Sequence, residues 1–279
     1  MTPVVLYIVL VFVLPVLFLG YLSVFRWSPM SDIVRFGGGA ILEEALTDPL
    51  FWASLGNSAY FMAIGVPATV VLALLVALAL SNQSPFPFKS TFKAAYFLPF
   101  VASLTATAFI WSWIFNPAYG LLNDLLRVVG LPPLGWLNDT AQVLPAIAIM
   151  YVWVRLGFDM AILIAGIENI PRDFYEAAKI DGASATRSFW HITLPLLNAQ
   201  LVLVGVVEVI NALRTFDLPY VATKGGPLNA SRTIVLHIYE TAFRYDGFSK
   251  AAAAALVLFA LILVVTLVQI RLTSRQVNY

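Results

Sequence analysis

The 279 residues predict an all-α integral membrane fold with about six transmembrane helices. Three observations carry that expectation. Only 11% of the residues are charged and 61% are hydrophobic, whereas a soluble domain averages about a quarter charged. Mean hydropathy is +0.87. The apolar residues gather into blocks of the roughly 20 residues that a helix needs to cross the hydrocarbon core. The blocks are unbroken runs rather than alternating ten-residue strands, which excludes a β-barrel.

Taken in order, the blocks run over about 4–25, 57–80, 94–115, 143–167, 201–221 and 251–271. They form a single transmembrane domain over 1–279. The first has neither a basic leader nor a small-residue cleavage site, so it reads as a span rather than a cleaved signal. Arg26 to Gly56 carries Gly37-Gly38-Gly39 and several acids, and reads as an external loop. Ser81 to Lys93 is short and proline-containing, with Lys89 and Lys93 and no acid. Asn116 to Gln142 includes an amphipathic stretch, Leu121 to Val129, suited to the membrane surface. Residues 168–198 are compact and polar. Ala222 to Lys250 is loop-like around Gly225-Gly226-Pro227, which by itself reads as a turn. No internal repeat is visible, so an inverted-repeat architecture has no support.

Composition also removes several functions. A net charge of +1 leaves no nucleic-acid footprint. There is no cysteine, and the two histidines, His191 and His237, lie far apart, so no metal site and no catalytic constellation is expected. No G-x-x-x-x-G-K-[ST] run occurs, so this chain is expected to bind no nucleotide cofactor itself.

The segment after the fourth block reads Pro171-Arg-Asp-Phe-Tyr-Glu176-Ala177-Ala178-Lys-Ile-Asp181-Gly182-Ala183-Ser184, then Ile192-Thr-Leu194-Pro195. This spells two short helices joined by a turn. Pro171 suits a first helical position, and Asp173 and Glu176 sit early, where the helix dipole favours acids. Phe174, Ala177 and Ala178 share one face with a small centre. Gly182 permits the turn and Ser184 can cap the second helix. Such a surface is shaped to plug into something on one side of the membrane.

Ionisable residues inside spans are costly and face a cavity or one another. Arg155, Asp159, Glu208 and Arg214 fall within the predicted spans. Arg155 and Asp159 are four apart, so they share a face and can neutralise each other. Glu208, Asn211 and Thr215 fall along one face of the fifth block. Two readings stand side by side: pairing between helices, or a substrate path that includes Arg155, Phe158, Asp159, Glu208, Asn211 and Thr215. Prolines 15, 67, 99, 145 and 219 read as tolerated kinks.

Glu-Ala-Ala, three residues, Gly, nine residues, then Ile-x-Leu-Pro resembles the EAA signature of ABC-importer permeases at every fixed position. The segments Phe51–Leu80, Phe97-Leu98-Pro99, and Gly120, Asn123, Gly130 with Trp136-Leu137 agree with that family. Phe216-Asp217, Thr223 to Pro227, Tyr239 and Phe243 are similar to its sugar branch, of maltose and glycerol-phosphate type. The resemblance covers roughly 51–271. It implies a cytoplasmic coupling loop over 168–198 that docks on an ATP-hydrolysing subunit. Glu176, Ala177, Ala178, Asp181 and Gly182 would form the contact, with Glu176 facing a basic residue and Gly182 giving the bend. It further implies a second permease subunit, as a heterodimer, two ATPase subunits that bind ATP and Mg, and an extracytoplasmic substrate-binding protein. The setting would be a bacterial or archaeal cytoplasmic membrane.

Orientation by charge is weak: seven Lys or Arg fall on the side given to the cytoplasm, Arg275 among them, and seven on the other. The shorter inside segments give the higher density. The expected function is a permease subunit for a sugar or sugar derivative, a neutral sugar ahead of an anionic one. A secondary transporter or channel, a permease for another polar solute, or a membrane enzyme are the alternatives.

Overall fold

A computed structural model describes residues 2–29, 31–81 and 86–273, and it is helical nearly throughout. Arg275 lies outside the described residues.

The first span, Pro3–Leu22, joins α1 (Thr2–Ile8) to α2 (Leu14–Leu22) through a π-helical turn at Val9–Val13. Its most apolar window buries 0% of itself against the rest of the chain, so its surface is left for lipid or another subunit. The span stops short of the expected Phe25 because a strand begins there. β1 (Phe25–Ser28) pairs antiparallel with β2 (Ser31–Phe36), and α3 (Ala40–Leu46) follows. The stretch read from sequence as loop thus contains a hairpin and a helix.

The second span, α4 (Pro49–Leu80), starts at Pro49 rather than Asn57. Asp48 caps it, accepting from the Leu50 N–H at 2.8 Å, and Pro49 occupies the first turn, where its missing N–H costs nothing. Pro67 lies inside this helix without ending it.

The third span is broken. α5 (Lys89–Val101) and α6 (Leu104–Ile114) meet at 103° across Ala102–Ser103. α7 (Leu121–Val128) exposes Leu121, Leu125 and Val128 and buries Asn123. The Asn123 amide donates to the carbonyls of Pro117 and Leu134, and its oxygen accepts from Leu134 N–H and Trp136 Nε1. That one side chain organises the whole connector down to the 3-10 turn at Trp136–Asn138.

The fourth span, α8 (Val143–Glu168), is the spine: 56% of its apolar window is buried, against 28% for α4. It runs in the same direction as α4. Phe61 and Val66 pack with Val143 to Tyr151, while Ala77 and Leu80 pack with Leu163 and Ile167. A Cβ on Gly157 would run into the Tyr96 carbonyl and the Phe97 Cα, so α8 and α5 touch backbone to backbone. Lys93 reaches Glu168 at 3.3 Å where both helices meet the polar connectors.

Next come α9 (Arg172–Ile180), α10 (Ala185–Ser188), a π-helical turn at Phe189–Thr193, α11 (Leu194–Leu196) and α12 (Asn198–Leu213). The chain bends by 66° between Ala185–Leu196 and Asn198–Leu213. That bend falls at Leu197; α12 then runs only to Leu213, not Val221, and α13 (Asp217–Thr223) is a separate helix beyond a second interruption at Arg214–Phe216.

α14 (Ile234–Phe243) and the last span, α15 (Phe248–Thr273), complete the fold. The chain before α14 is tied onto α4. Asn57 donates to the carbonyls of Asn229 and Arg232, and Ser58 accepts from Ile234 N–H. Lys250 meets Asp48 at 2.6 Å, and Arg232 meets Glu240 at 2.9 Å. Ser249 accepts from Trp27 N–H and donates to Phe25 carbonyl, which fastens the hairpin to α15.

Candidate functional site

Two places carry chemistry, one inside the bundle and one at its end. The inner site lies where the Ala102–Ser103 break of the third span and the Arg214–Phe216 interruption between α12 and α13 meet α8. A cavity of about 320 Å³ is lined there by Ala102 from the first break, by Arg214, Thr215 and Phe216 from the second, by Asn211, and by Tyr151 and Arg155 from α8. Broken helices are tolerated at membrane depth where they line a cavity, because water, ligand or neighbouring side chains can satisfy the freed backbone groups.

Arg155 is the centre of this site. Its Nε and Nη2 donate to Glu208 Oε1 at 2.8 and 2.6 Å, and Tyr151 Oη donates to Oε2 at 2.6 Å. Its guanidinium carbon lies 5.5 Å from the ring centre of Phe100 and 5.2 Å from that of Phe158. The two rings stack at 4.8 Å. The cation is thus held by one carboxylate and two aromatic rings.

Arg155 makes its close ion pair with Glu208 and not with Asp159. Asp159 is fully buried, and neither carboxylate oxygen accepts a hydrogen bond from a donor among the described residues. Sequence spacing favoured the partner one turn away on the same helix; the structure chooses Glu208 on α12. Asn211 lines the cavity. Thr215 does so from beyond the end of α12, where its hydroxyl donates to Asn211 carbonyl at 3.0 Å. The single continuous face expected for Glu208, Asn211 and Thr215 is therefore cut by the break. Phe158 presents its ring to Arg155 and Phe100 instead of to the cavity.

Tyr151 and Phe100 were missed from sequence. Tyr151, Arg155 and Asp159 form a stripe at four-residue spacing, which is a usable signal for Tyr151. Nothing local marks Phe100 except Pro99 beside it. A larger cavity, about 830 Å³, lies between α4, α5 and α8 but is lined by apolar groups such as Ile64, Trp111, Val152 and Trp153, so it offers little to a polar solute.

The second place is α9 to α10. Nothing in α9 is buried, and Ile180 is 87% exposed. Glu176, Ala177, Asp181 and Gly182 are exposed and Ala178 is half-buried. Pro171 stands one residue before the helix rather than inside it. The helix closes with Ala183 N–H on Ala178 carbonyl at 2.8 Å and Gly182 N–H on Lys179 carbonyl at 3.1 Å. That double bond pattern requires a left-handed residue, and Gly182 supplies it at φ +74°. Ser184 caps α10 through Arg187 N–H. Tyr175 Oη and Thr193 Oγ1 meet at 2.9 Å, so α9 is tied directly to the start of the fifth span. A cleft of about 780 Å³ opens between them, with Glu176 and Lys179 on one wall and Thr186 and Phe189 on the other.

Gly225-Gly226-Pro227 is more than a turn. Gly225 has φ +83°, and Ser231 donates to Gly226 carbonyl at 2.8 Å while meeting Thr223 at 2.6 Å.

Residues 1–277 match the family model described as binding-protein-dependent transport system inner membrane component. The sulfoquinovosyl glycerol transport system permease protein of Agrobacterium fabrum is 33% identical over 264 residues, covering 94% of this chain and 85% of that one. The lactose transport system permease protein of Rhizobium radiobacter is 34% identical, with 85% and 80% covered. The trehalose/maltose transport system permease protein of Thermococcus litoralis is 33% identical, with 95% and 89% covered. Among solved structures, a bacterial ABC transporter involved in import of the acidic polysaccharide alginate superposes with a TM-score of 0.82 at 20% identity, over 99% of this chain and 94% of that one. This last likeness is one of fold.

Proposed function

The chain belongs to the binding-protein-dependent transport system inner membrane component family, and from that premise we propose that it forms half of the translocation pathway for a sugar or sugar derivative in an ABC importer. The observation that carries the reading is the polar cavity at the two helix breaks. Asn211, Thr215, Tyr151 and Asp217 offer donors and acceptors for hydroxyls, and Phe100 and Phe216 offer ring faces. Sugars present both kinds of surface. The solutes named for the relatives, among them lactose and trehalose/maltose, are of this class.

A neutral sugar is the primary reading, because Arg155 is already paired with Glu208. One observation favours an anionic sugar: Arg214 lines the same cavity and makes no ion pair among the described residues. Its planar fork suits a carboxylate or sulfonate.

The proposed assembly contains a second permease subunit, two ATPase subunits that bind ATP and Mg, and an extracytoplasmic binding protein. α9, with Glu176, Ala177, Ala178, Asp181 and Gly182, is the docking element for an ATPase on the cytoplasmic side. The absence of any buried residue in it, together with its tie to the fifth span through Tyr175 and Thr193, supports this role. Breaking an interfacial charge pair costs roughly 2–5 kcal/mol. Glu176→Lys should therefore reduce copurifying ATPase and lower uptake at least tenfold, leaving the membrane level of the chain unchanged. Normal copurification and full uptake in this variant rule the docking role out. In this cysteine-free chain, single cysteines at 89 and 176 should resist an impermeant thiol reagent in intact cells, and those at 38, 124 and 226 should react.

A further inference from the structure

An unbroken series of aromatic rings leads away from the inner cavity. Phe216 lines that cavity. It stacks on Tyr220 at 4.9 Å with the planes 16° apart, and lies 4.9 Å from Tyr239. Tyr220 and Tyr239 are 5.5 Å apart, and Tyr239 is 5.2 Å from Phe243. Phe243 then meets Phe248 at 5.5 Å, and Phe248 meets Trp27 in the hairpin at 5.9 Å.

These rings are not core. The core aromatics Phe51, Phe61 and Phe115 are at most 1% exposed, whereas Phe243 is 69% exposed and Phe216, Tyr220 and Tyr239 are half-buried. On α14 the polar groups His237, Glu240 and Thr241 are buried along with Ile234, Leu236 and Ala242, while Tyr239 is half-buried and Phe243 exposed. Packing alone would put the rings inside and the charges out. Lipid alone does not account for the pattern either. The series starts among Asn211, Arg214 and Asp217 and interleaves two phenol hydroxyls with two phenyl rings, and the exposed Arg244 follows Phe243 in sequence.

We propose that Phe216, Tyr220, Tyr239 and Phe243 form a stacking track along which sugar rings pass between the hairpin end of the bundle and the cavity at the helix breaks. The track rests on the sugar reading above and extends it to residues outside the cavity. A pyranose offers an apolar C–H face to a ring and hydroxyl edges to the tyrosines. Successive overlapping contacts of modest strength let a solute advance without being trapped, and they favour solutes of more than one ring, because such a molecule holds one ring while the next moves.

The test uses the complete transporter in cells, with labelled lactose and maltose as probes. Tyr239→Leu and Phe243→Leu keep the apolar volume but remove the ring face. Each should lower the maximal uptake rate roughly two- to tenfold, while subunit assembly and binding-protein-stimulated ATP hydrolysis stay unchanged. Tyr239→Phe and Phe243→Tyr should retain uptake. Uptake unaltered in both leucine variants overturns the track, as does uptake that falls only in proportion to assembly or ATP hydrolysis. A single Phe243→Cys should be labelled by a charged thiol reagent and protected by saturating lactose or maltose. Cross-linking of that cysteine to the second permease subunit, or labelling that neither sugar slows, assigns the surface to another role and overturns the track. If the unaltered transporter moves neither probe, the track as a path for these sugars is overturned, while the sugar reading of the cavity is not.

Discussion

Glu208 accepts from both Nε and Nη2 of Arg155, at 2.8 and 2.6 Å, across the interface between α8 and α12. The carboxylate side chain is fully buried and the guanidinium side chain is 15% exposed. Removing one partner of a buried pair leaves the other uncompensated, at about 3–5 kcal/mol, whereas replacing both with apolar groups is often neutral. Arg155→Ala and Glu208→Ala should each lower thermal stability and uptake. Arg155→Met combined with Glu208→Leu should recover most of the stability and little of the uptake. Melting of the purified complex beside uptake in cells separates the two roles; recovery of both would show that the pair serves packing only.

Gly182 sits at φ +74° in open space, since a Cβ there would meet nothing within 4 Å. The cost of a side chain is therefore in the backbone alone, about 1–3 kcal/mol for a β-branched residue in the left-handed region. Gly182→Val should shift the turn after α9 and weaken ATPase copurification, with the melting temperature of the isolated chain lowered by a few degrees. Gly182→Asn, which tolerates that region better, should lie between valine and the parent. Equal copurification for all three would show that the bend is not needed.

Asn123 uses one buried side chain to hold four backbone and side-chain groups of the connector between the third and fourth spans. Each lost hydrogen bond is worth about 1 kcal/mol, and buried groups left unpaired cost more. Asn123→Leu should destabilise the protein by about 2–4 kcal/mol. Limited proteolysis should then cut first between 129 and 140, and an unchanged cleavage pattern would argue against this anchoring role.

His237 is buried beside Arg232, and burial together with that positive charge pushes its imidazole down to about 4. Asp48 and Lys250 face it as well. Burial opposes ionisation of Asp48, yet its hydrogen bonds from Lys250 and Leu50 hold it below its ordinary value. Between pH 6.5 and 4 the unfolded chain binds a proton at His237 that the folded chain does not. Stability is thus fully present above about 6.5 and falls toward 4, by up to roughly 3 kcal/mol. Asp48 adds its loss only below about 4. Melting of the purified chain should drop between pH 7 and pH 5, and His237→Gln should flatten that dependence. An equal drop in parent and variant would place the acid sensitivity elsewhere.

Features set by neighbours along the chain were legible. The α9 turn follows from Pro171, Gly182 and Ser184, each acting within a few residues, and its hydrogen bonds match that spacing. The break at Ala102–Ser103 was not legible. Pro99 offered a hint, but Pro67 in α4 gives the same hint and bends nothing comparable, because α4 packs along its length on α8. The end of α12 at Leu213 was equally hidden, since Leu218, Pro219 and Val221 continue the apolar run past it.

Arg155 makes the limit concrete. Along one helix its obvious partner is Asp159, four residues away, yet its carboxylate is Glu208, 53 residues away. The aromatic series from Phe216 to Trp27 likewise joins residues that no local spacing connects. By itself the sequence determined the membrane class, the approximate spans, the family signature and the exposed α9, because hydropathy, capping and turn chemistry act over one or two helical turns. The tertiary structure alone decided where the spans break, which carboxylate Arg155 holds, and which rings line up. Those outcomes depend on helices meeting side by side in a medium with no water to satisfy a misplaced charge or an open backbone group.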